Sequence, residues 1–259
     1  MMQPEQIVRQ AVTAGTLLLM TPLALAGPPF ITDDPEPVDP GHWEVYAFSA
    51  GAVDNQAATG FGPALEVNYG AAPDIQLHVI VPIAYGTATG TPTQAGLGDT
   101  ELGVKYRFVN SGENDWWPEM GTFPLLEIPT GNAGLGLGAG YAQTFLPIWL
   151  QKNIGKWTTY GGGGYWTNPG PGNRNFWFTG WLLQYQVTDA LALGAELFHQ
   201  TSSMIGRAAS RGFNLGGIYD LNEHHHLLFS AGRGGMLYAV NAASVINPFT
   251  YYLGFQWTF

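Results

Sequence analysis

Apolar and polar residues alternate along much of the chain with a period of two, which is the period of a β-strand. The last nine residues show this pattern clearly, because large apolar side chains fall at every second position. The residues between them are small or polar, so one face of the strand is aromatic and the other is not. A bare aromatic strand at the edge of a soluble sheet invites aggregation. The pattern therefore favours a strand that closes a barrel in lipid over the edge strand of a soluble sandwich.

The same alternation predicts about twelve strands. The approximate spans are 42–50, 64–70, 75–85, 99–109, 121–129, 141–152, 156–165, 175–186, 190–200, 211–220, 224–232 and 249–259. The links after strands two, six, eight and ten are tight, whereas those after the odd-numbered strands are longer and rich in Gly, Asn and Pro. One link departs from this pattern, because 110–120 after strand four is long and contains Trp116-Trp117-Pro118, which suits an interfacial aromatic belt.

Short turns at one end and longer loops at the other are typical of bacterial outer-membrane barrels. The predicted fold class is therefore all-β, a transmembrane antiparallel up-and-down β-barrel of about 12 strands, located in the cell outer membrane. In such barrels the closing strand carries the assembly signal. That signal is predicted on Tyr251, Leu253, Phe255, Trp257 and Phe259.

The alternation also predicts which side chains face lipid and which face the lumen. Leu102, Val104, Tyr106 and Phe108 share one face of strand four, and charged residues share the other. A charge that faces lipid at the midplane costs about 2–4 kcal/mol, so the charged face is expected to point inward. The predicted lumen-lining residues are Glu66, His78, Glu101, Lys105, Arg107, Glu127, Glu196 and Gln256. They would either form a polar network that only stabilises the lumen or line a path for a solute.

The N-terminus predicts export. Residues 1–26 have the features of a signal peptide, with an apolar run that ends at the small-x-small site Ala24-Leu-Ala26. Residues 27–41 are Pro-rich and acidic, and we expect an extended lead-in on the periplasmic side. Residues 42–259 form the predicted barrel. Without cysteine the exported chain has no disulfide framework.

Composition agrees with a membrane barrel. Only 11% of the residues are charged, and the mean hydropathy is near zero because apolar and polar faces average out. The net charge of −10 disfavours nucleic acid as a partner. The expected partners are outer-membrane lipid, the barrel-assembly machinery through the C-terminal strand, and a small-molecule solute. No cofactor is expected.

Three motifs suggest chemistry, and each has a simpler interpretation. His199 with Thr201 on an outward face resembles the strand motif of outer-membrane lipid hydrolases, but Thr201 stands where those enzymes have Ser and no third group is evident. His224-His225-His226 is split by the alternation, so at most two imidazoles converge, whereas a catalytic zinc needs three ligands. The Gly-rich run 134–140 is followed by no helix and reads as an external loop. No catalytic, cofactor-binding or metal residue is therefore assigned.

Three blocks resemble a known family. They are Pro29-Phe-Ile-Thr-Asp-Asp-Pro-Glu-Pro37, Gly96-Leu-Gly-Asp-Thr-Glu-Leu-Gly-Val-Lys-Tyr-Arg-Phe108 and Glu127-Ile-Pro-Thr-Gly-Asn132. The family is an outer-membrane barrel family labelled as a transporter or "MetA-pathway of phenol degradation" protein. This resemblance implies a channel or transporter for small hydrophobic or aromatic solutes. A lipid-modifying hydrolase that uses His199 and a sealed structural barrel are the alternatives.

Overall fold

The chain folds as a closed barrel of twelve antiparallel strands. The computed structural model describes residues 27–111, 115–234 and 248–259. The predicted signal peptide lies outside the described residues, as does most of the link after strand eleven. The strands are β1 Trp43–Val53, β2 Ala57–Ala72, β3 Ile75–Ala88, β4 Gln94–Leu97 with Thr100–Val109, β5 Glu119–Thr122 with Leu125–Ile128, β6 Gln143–Ile154, β7 Trp157–Thr167, β8 Phe176–Thr188, β9 Leu191–Gln200, β10 Ser210–Asn222, β11 His225–Arg233 and β12 Phe249–Thr258.

Each strand pairs with its neighbours in sequence, and β1 pairs with β12 from Glu44↔Thr258 to Val53↔Phe249. This last ladder closes the sheet, so no edge remains. The predicted fold class is confirmed, and the C-terminal aromatic strand is the closing strand.

Two adjacent strands are interrupted. Strand β4 breaks at Gly98-Asp99, and β5 breaks at Phe123-Pro124. Proline has no backbone N–H and cannot donate to the ladder. At the second break Pro124 contributes only its carbonyl to the ladder, which accepts the Val104 N–H at 3.2 Å.

The links at the two ends differ in length, as predicted, with one correction. The tight turns after β2, β6, β8 and β10 have only two residues each. The link after β1 was expected to be a long loop, but it is also short, because β1 and β2 extend to a turn at residues 54–56. The Asp54 carboxylate accepts the N–H groups of Gln56 and Ala57 and closes this turn. Because the flanking residues are Gly, Ala and Thr, they resemble a loop in sequence although they pair as strands.

The two faces of the barrel have opposite character. Outward-facing Leu65, Leu77, Leu102, Val104 and Leu146 are each 39–59% exposed, and an apolar face of this kind is suited to lipid. Among the described residues, no helix is long and apolar enough to cross a membrane. Because short turns face the periplasm in outer-membrane barrels, we call the end with the tight turns and the C-terminus the periplasmic end.

Residues 27–38, which we call the interior segment, lie inside the barrel. The sequence led us to expect an extended lead-in on the periplasmic side, but Phe30, Thr32 and Asp33 are almost completely buried. The exposed part of the predicted lead-in is Glu36 and the stretch 39–42 next to β1. The interior segment pairs with no strand, and its hydrogen bonds to the barrel wall are made with inward-facing side chains. These distant partners could not be seen in the local sequence pattern.

Candidate functional site

The interior segment is held by a carboxylate at its first turn. Glu196 on β9 accepts the N–H of Ile31 at 3.0 and 3.2 Å and the N–H of Thr32 at 2.8 Å. The side-chain amide of Asn214 on β10 donates to the same carboxylate at 2.5 Å. Glu196 is 1% exposed, so these donors have no water as an alternative. One side chain of the barrel wall therefore satisfies two backbone donors of the segment.

A lysine binds the acidic middle of the segment. The Lys105 ammonium on β4 lies 3.0 Å from Asp33 Oδ1 and 3.3 Å from Asp34 Oδ1, and it also donates to the Glu36 carbonyl at 3.4 Å. Burial raises the pKa of the Asp33 carboxyl to about 6, and the Lys105 ammonium opposes that rise. Buried charges require partners of opposite sign, and the segment provides them for Lys105.

Further contacts extend to other strands. The Val38 N–H donates to Gln76 Oε1 at 2.9 Å, and Gln151 Nε2 donates to the Glu36 carboxylate at 2.9 Å. The Ser230 hydroxyl donates to the Pro29 carbonyl at 2.5 Å. Side-chain contacts thus bind the segment to β3, β4, β6, β9 and β11.

A second polar network lies on β2 to β4, next to the segment. His78 contacts Asn68 Oδ1 through Nδ1 at 2.6 Å and Glu101 Oε1 through Nε2 at 3.0 Å. The Asn68 amide donates to Glu66 Oε1 at 2.8 Å, and Glu66 lies 3.6 Å from His78 Nδ1. All four side chains are buried. The alternation predicts that Glu66, His78 and Glu101 face the lumen. In the fold, His78 contacts both carboxylates.

The remaining predicted lumen residues are distributed along the barrel. Glu127 on β5 is buried opposite Glu101. Gln256 on β12 donates to the Tyr46 hydroxyl at 2.8 Å. Arg107 lies at the periplasmic end, paired with Asp74 and Glu119 at 2.9 and 3.0 Å. That these residues line a solute path stays a prediction.

A cavity of about 340 Å³ adjoins the interior segment. It extends from the periplasmic ends of β1 and β12, at Glu44 and Gln256, to Phe123 and Leu228 near mid-barrel. The charged side chains that line the cavity are mainly acidic, and Lys105 is the lysine among them. The lining carboxylates are Asp33, Asp34, Glu36, Asp39, Glu44 and Glu66. Such a lining favours neutral or cationic solutes over anions.

Aromatic side chains cluster in the extracellular half of the interior, on the side formed by β5 to β9. Phe145, Trp149 and Trp166 pack together with rings from β5, β8 and β9, and Ile31 of the interior segment packs against this cluster. Trp149 is completely buried. The loop 129–142 folds over the same end, because the Asp99 carboxylate accepts the N–H groups of Gly131 and Ala139 at 2.9 and 2.6 Å. The predicted external loop thus packs against this end of the barrel.

The motifs that suggested chemistry remain separate from one another. His199 faces outward, as the alternation predicted, but the Thr201 hydroxyl accepts the Trp177 N–H and the Ser202 hydroxyl donates to the Met204 carbonyl. His225 contacts Asn222, and His226 contacts Asp220. In the part of the chain that the structure describes, no cluster of three or more His, Cys, Asp or Glu side chains could hold a metal ion.

Sequence reasoning missed the partners that the interior segment provides. We interpreted Asp33 and Asp34 as part of a lead-in. An acidic, Pro-rich segment next to a barrel with an inward-facing lysine is, however, a sequence signal for ion pairs such as those with Lys105. Gln76 and Gln151 also contact the segment. Their role depends on where the segment runs, which periodicity does not determine.

A closed sheet with an apolar outer face and a polar, buried interior defines an outer-membrane β-barrel protein. Comparison with solved structures agrees. An outer membrane channel from Pseudomonas putida F1 is similar with a TM-score of 0.64 and 17% identity, over 87% of this chain and 98% of that chain. The KdgM porin is similar with a TM-score of 0.56 and 11% identity, over 83% and 99%. The NanC porin has a TM-score of 0.56 and 9% identity, over 82% and 98%.

These similarities concern the fold. No family model matches the chain, and no curated protein matches it. The function must therefore be argued from the interior of this barrel.

Proposed function

We propose that this protein is a non-enzymatic outer-membrane channel for small solutes, gated by its own interior segment. The observation that carries the proposal is that the segment is held by side chains and contributes no strand to the sheet. It can leave the lumen without breaking the barrel. The solved channels and porins of similar fold support a channel as the class of activity.

The lining suggests a class of solute. Buried rings such as Phe145 and Trp149 cluster in the extracellular half of the interior, and carboxylates dominate the periplasmic cavity. When the interior segment leaves, Ile31 no longer packs on this cluster, and a small neutral aromatic compound can stack on the rings. Such a compound carries no charge for the carboxylates to repel. The resemblance to the phenol-degradation family points to the same solutes.

A sealed structural barrel is the second candidate, because the interior is filled by the segment and by aromatic packing. Single-channel conductance in planar bilayers separates the two. We expect rare openings for the full mature chain and frequent openings after deletion of residues 27–38. A deletion variant that folds but never conducts would support the sealed barrel instead.

Solute uptake into vesicles tests the proposed specificity. Phenol, a neutral sugar of similar size and benzoate differ in ring character and charge. The deletion removes three of the six lining carboxylates and leaves Asp39, Glu44 and Glu66, so the cavity stays acidic. We therefore still expect phenol to enter fastest through the deletion variant and benzoate slowest. Equal rates for the three solutes would contradict the proposed class but leave the channel itself intact.

A further inference from the structure

Cationic side chains on the lipid-facing surface are confined to its two ends. On the described strands, Asp and Glu residues all occupy the inward-facing alternation, and so do Lys105 and Arg107. Lys152 faces outward near the periplasmic end of β6, where its ammonium donates to the Trp117 carbonyl. The other outward cations are Arg211 on β10 and Arg233 on β11, both at the extracellular end and both exposed.

The two arginines and one histidine are neighbours on adjacent strands. Arg211 is directly opposite His199 of β9 in the ladder. Arg233 is opposite Phe213, which lies two residues along β10 from Arg211 on the same face. Opposite residues have Cβ atoms about 4.5–5.5 Å apart, and diagonal ones about 7–8 Å apart. Since guanidinium groups extend several ångströms beyond Cβ, all three side chains can reach one anion.

The adjoining loops add positive charge and no negative charge. The loops 168–175 and 201–209 contact each other, because the Arg174 N–H donates to the Ser203 carbonyl at 2.9 Å and the Ile205 N–H to the Gly172 carbonyl at 2.8 Å. They carry Arg174 and Arg207, and neither loop contains Asp or Glu. This quadrant is cationic in a protein whose net charge is −10.

The cluster lies at the level of lipid headgroups. Strand β11 runs from His225 at the periplasmic turn to Arg233, which is nine residues and about the length needed to cross a bilayer when tilted. On the periplasmic side of the arginines, the same face carries Leu197, 71% exposed, and Leu215, 58% exposed. The arginines therefore stand directly above an apolar surface that contacts acyl chains.

We propose that Arg211 and Arg233, with His199, bind the phosphate group of a lipid in the outer leaflet. Each guanidinium can donate two parallel hydrogen bonds to phosphate oxygens, and the imidazole N–H can donate one more. The acyl chains of the same lipid would pack on Leu197 and Leu215. This site is independent of any solute that passes through the lumen, and it gives His199 a binding role on the outer wall.

Native mass spectrometry of the detergent-purified mature protein tests the proposal, with diphosphorylated lipid A as the probe. We expect one bound lipid on the wild-type protein and at least tenfold weaker binding to the double variant Arg211→Gln/Arg233→Gln. Lys156→Gln removes a cation from a periplasmic turn and serves as the control, with binding unchanged. Heat modifiability on gels establishes that each variant is a folded barrel.

Three binding results would overturn the proposal, and so would hydrolysis of the lipid. They are equal binding by the double variant, equal binding of lipid A from which both phosphates have been removed, and equally tight binding of inorganic phosphate without a lipid. The last result would indicate a simple anion site. Release of acyl chains from lipid A by the wild-type protein, abolished in His199→Ala, would replace the binding role with a hydrolytic one.

Discussion

Replacing Glu196 by leucine should release the interior segment. Leucine is close to glutamate in size but accepts no hydrogen bond, so the N–H groups of Ile31 and Thr32 would remain buried without an acceptor. Each unsatisfied buried donor costs about 1–3 kcal/mol. If the two together cost only about 2 kcal/mol, the equilibrium between docked and released segment shifts roughly 30-fold towards release.

The assay is the open probability of single channels in planar bilayers. We expect Glu196→Leu to open roughly 30-fold more often than the wild-type protein, with the same conductance per open channel. Glu196→Gln keeps one acceptor oxygen, so its effect should be smaller. Glu223→Leu, an exposed change in a periplasmic turn, is the matched control and should behave as wild type.

The reasoning would be refuted by a folded Glu196→Leu variant that opens no more often than wild type while deletion of residues 27–38 does open the channel. In that case the segment closes the lumen, but the Glu196 contacts do not hold it. Circular dichroism and heat modifiability distinguish this outcome from failure of the variant to fold.

Three further predictions follow from the same contacts. The docked segment raises the pKa of Asp33 from 3.8 to about 6, so docking weakens as pH rises between these two values and open probability should rise over this range. Asp33→Asn should reduce the rise without removing all of it, because burial also raises the pKa of Glu36. Gly180→Ala places a Cβ against the Thr32 hydroxyl and should increase open probability, whereas the same change at the exposed Gly134, where only the Asn132 side chain is near, should not. Deletion of Phe259, whose N–H and carbonyl pair with Trp43, should lower the fraction of chains assembled in the outer membrane, measured by heat modifiability.

The strands could be predicted because both faces of a lipid-embedded barrel leave a signal at every second residue. In β4 the contrast between Leu102 and Glu101 marks the two faces directly. Strand β8 carries less information, because Phe176-Trp-Phe-Thr-Gly-Trp is apolar on both faces. There the inward rings of Phe176 and Phe178 belong to the aromatic cluster, and alternation alone could not separate them from Trp177 on the lipid side.

The candidate site was only partly predictable, because its partners are distant in sequence. Alternation placed Lys105 and Glu196 on the inward face, but their partners are Asp33 and the backbone of Ile31 and Thr32. The separation between Ile31 and Glu196 is 165 residues. Periodicity reports the face on which a side chain lies, and it gives no register between a strand and a segment that belongs to no strand.

The same distinction explains why a filled barrel can also be a channel. Every strand is held by ladders on both sides, so the wall opens only if many backbone hydrogen bonds break together. Residues 27–38 are held by side chains such as Glu196, Lys105 and Gln76, each contributing about 0.5–3 kcal/mol. A modest change in pH or in a few contacts can therefore shift the segment's equilibrium while the wall remains closed. An interior filled by a strand would not have this property, because its release would remove ladder hydrogen bonds from the barrel.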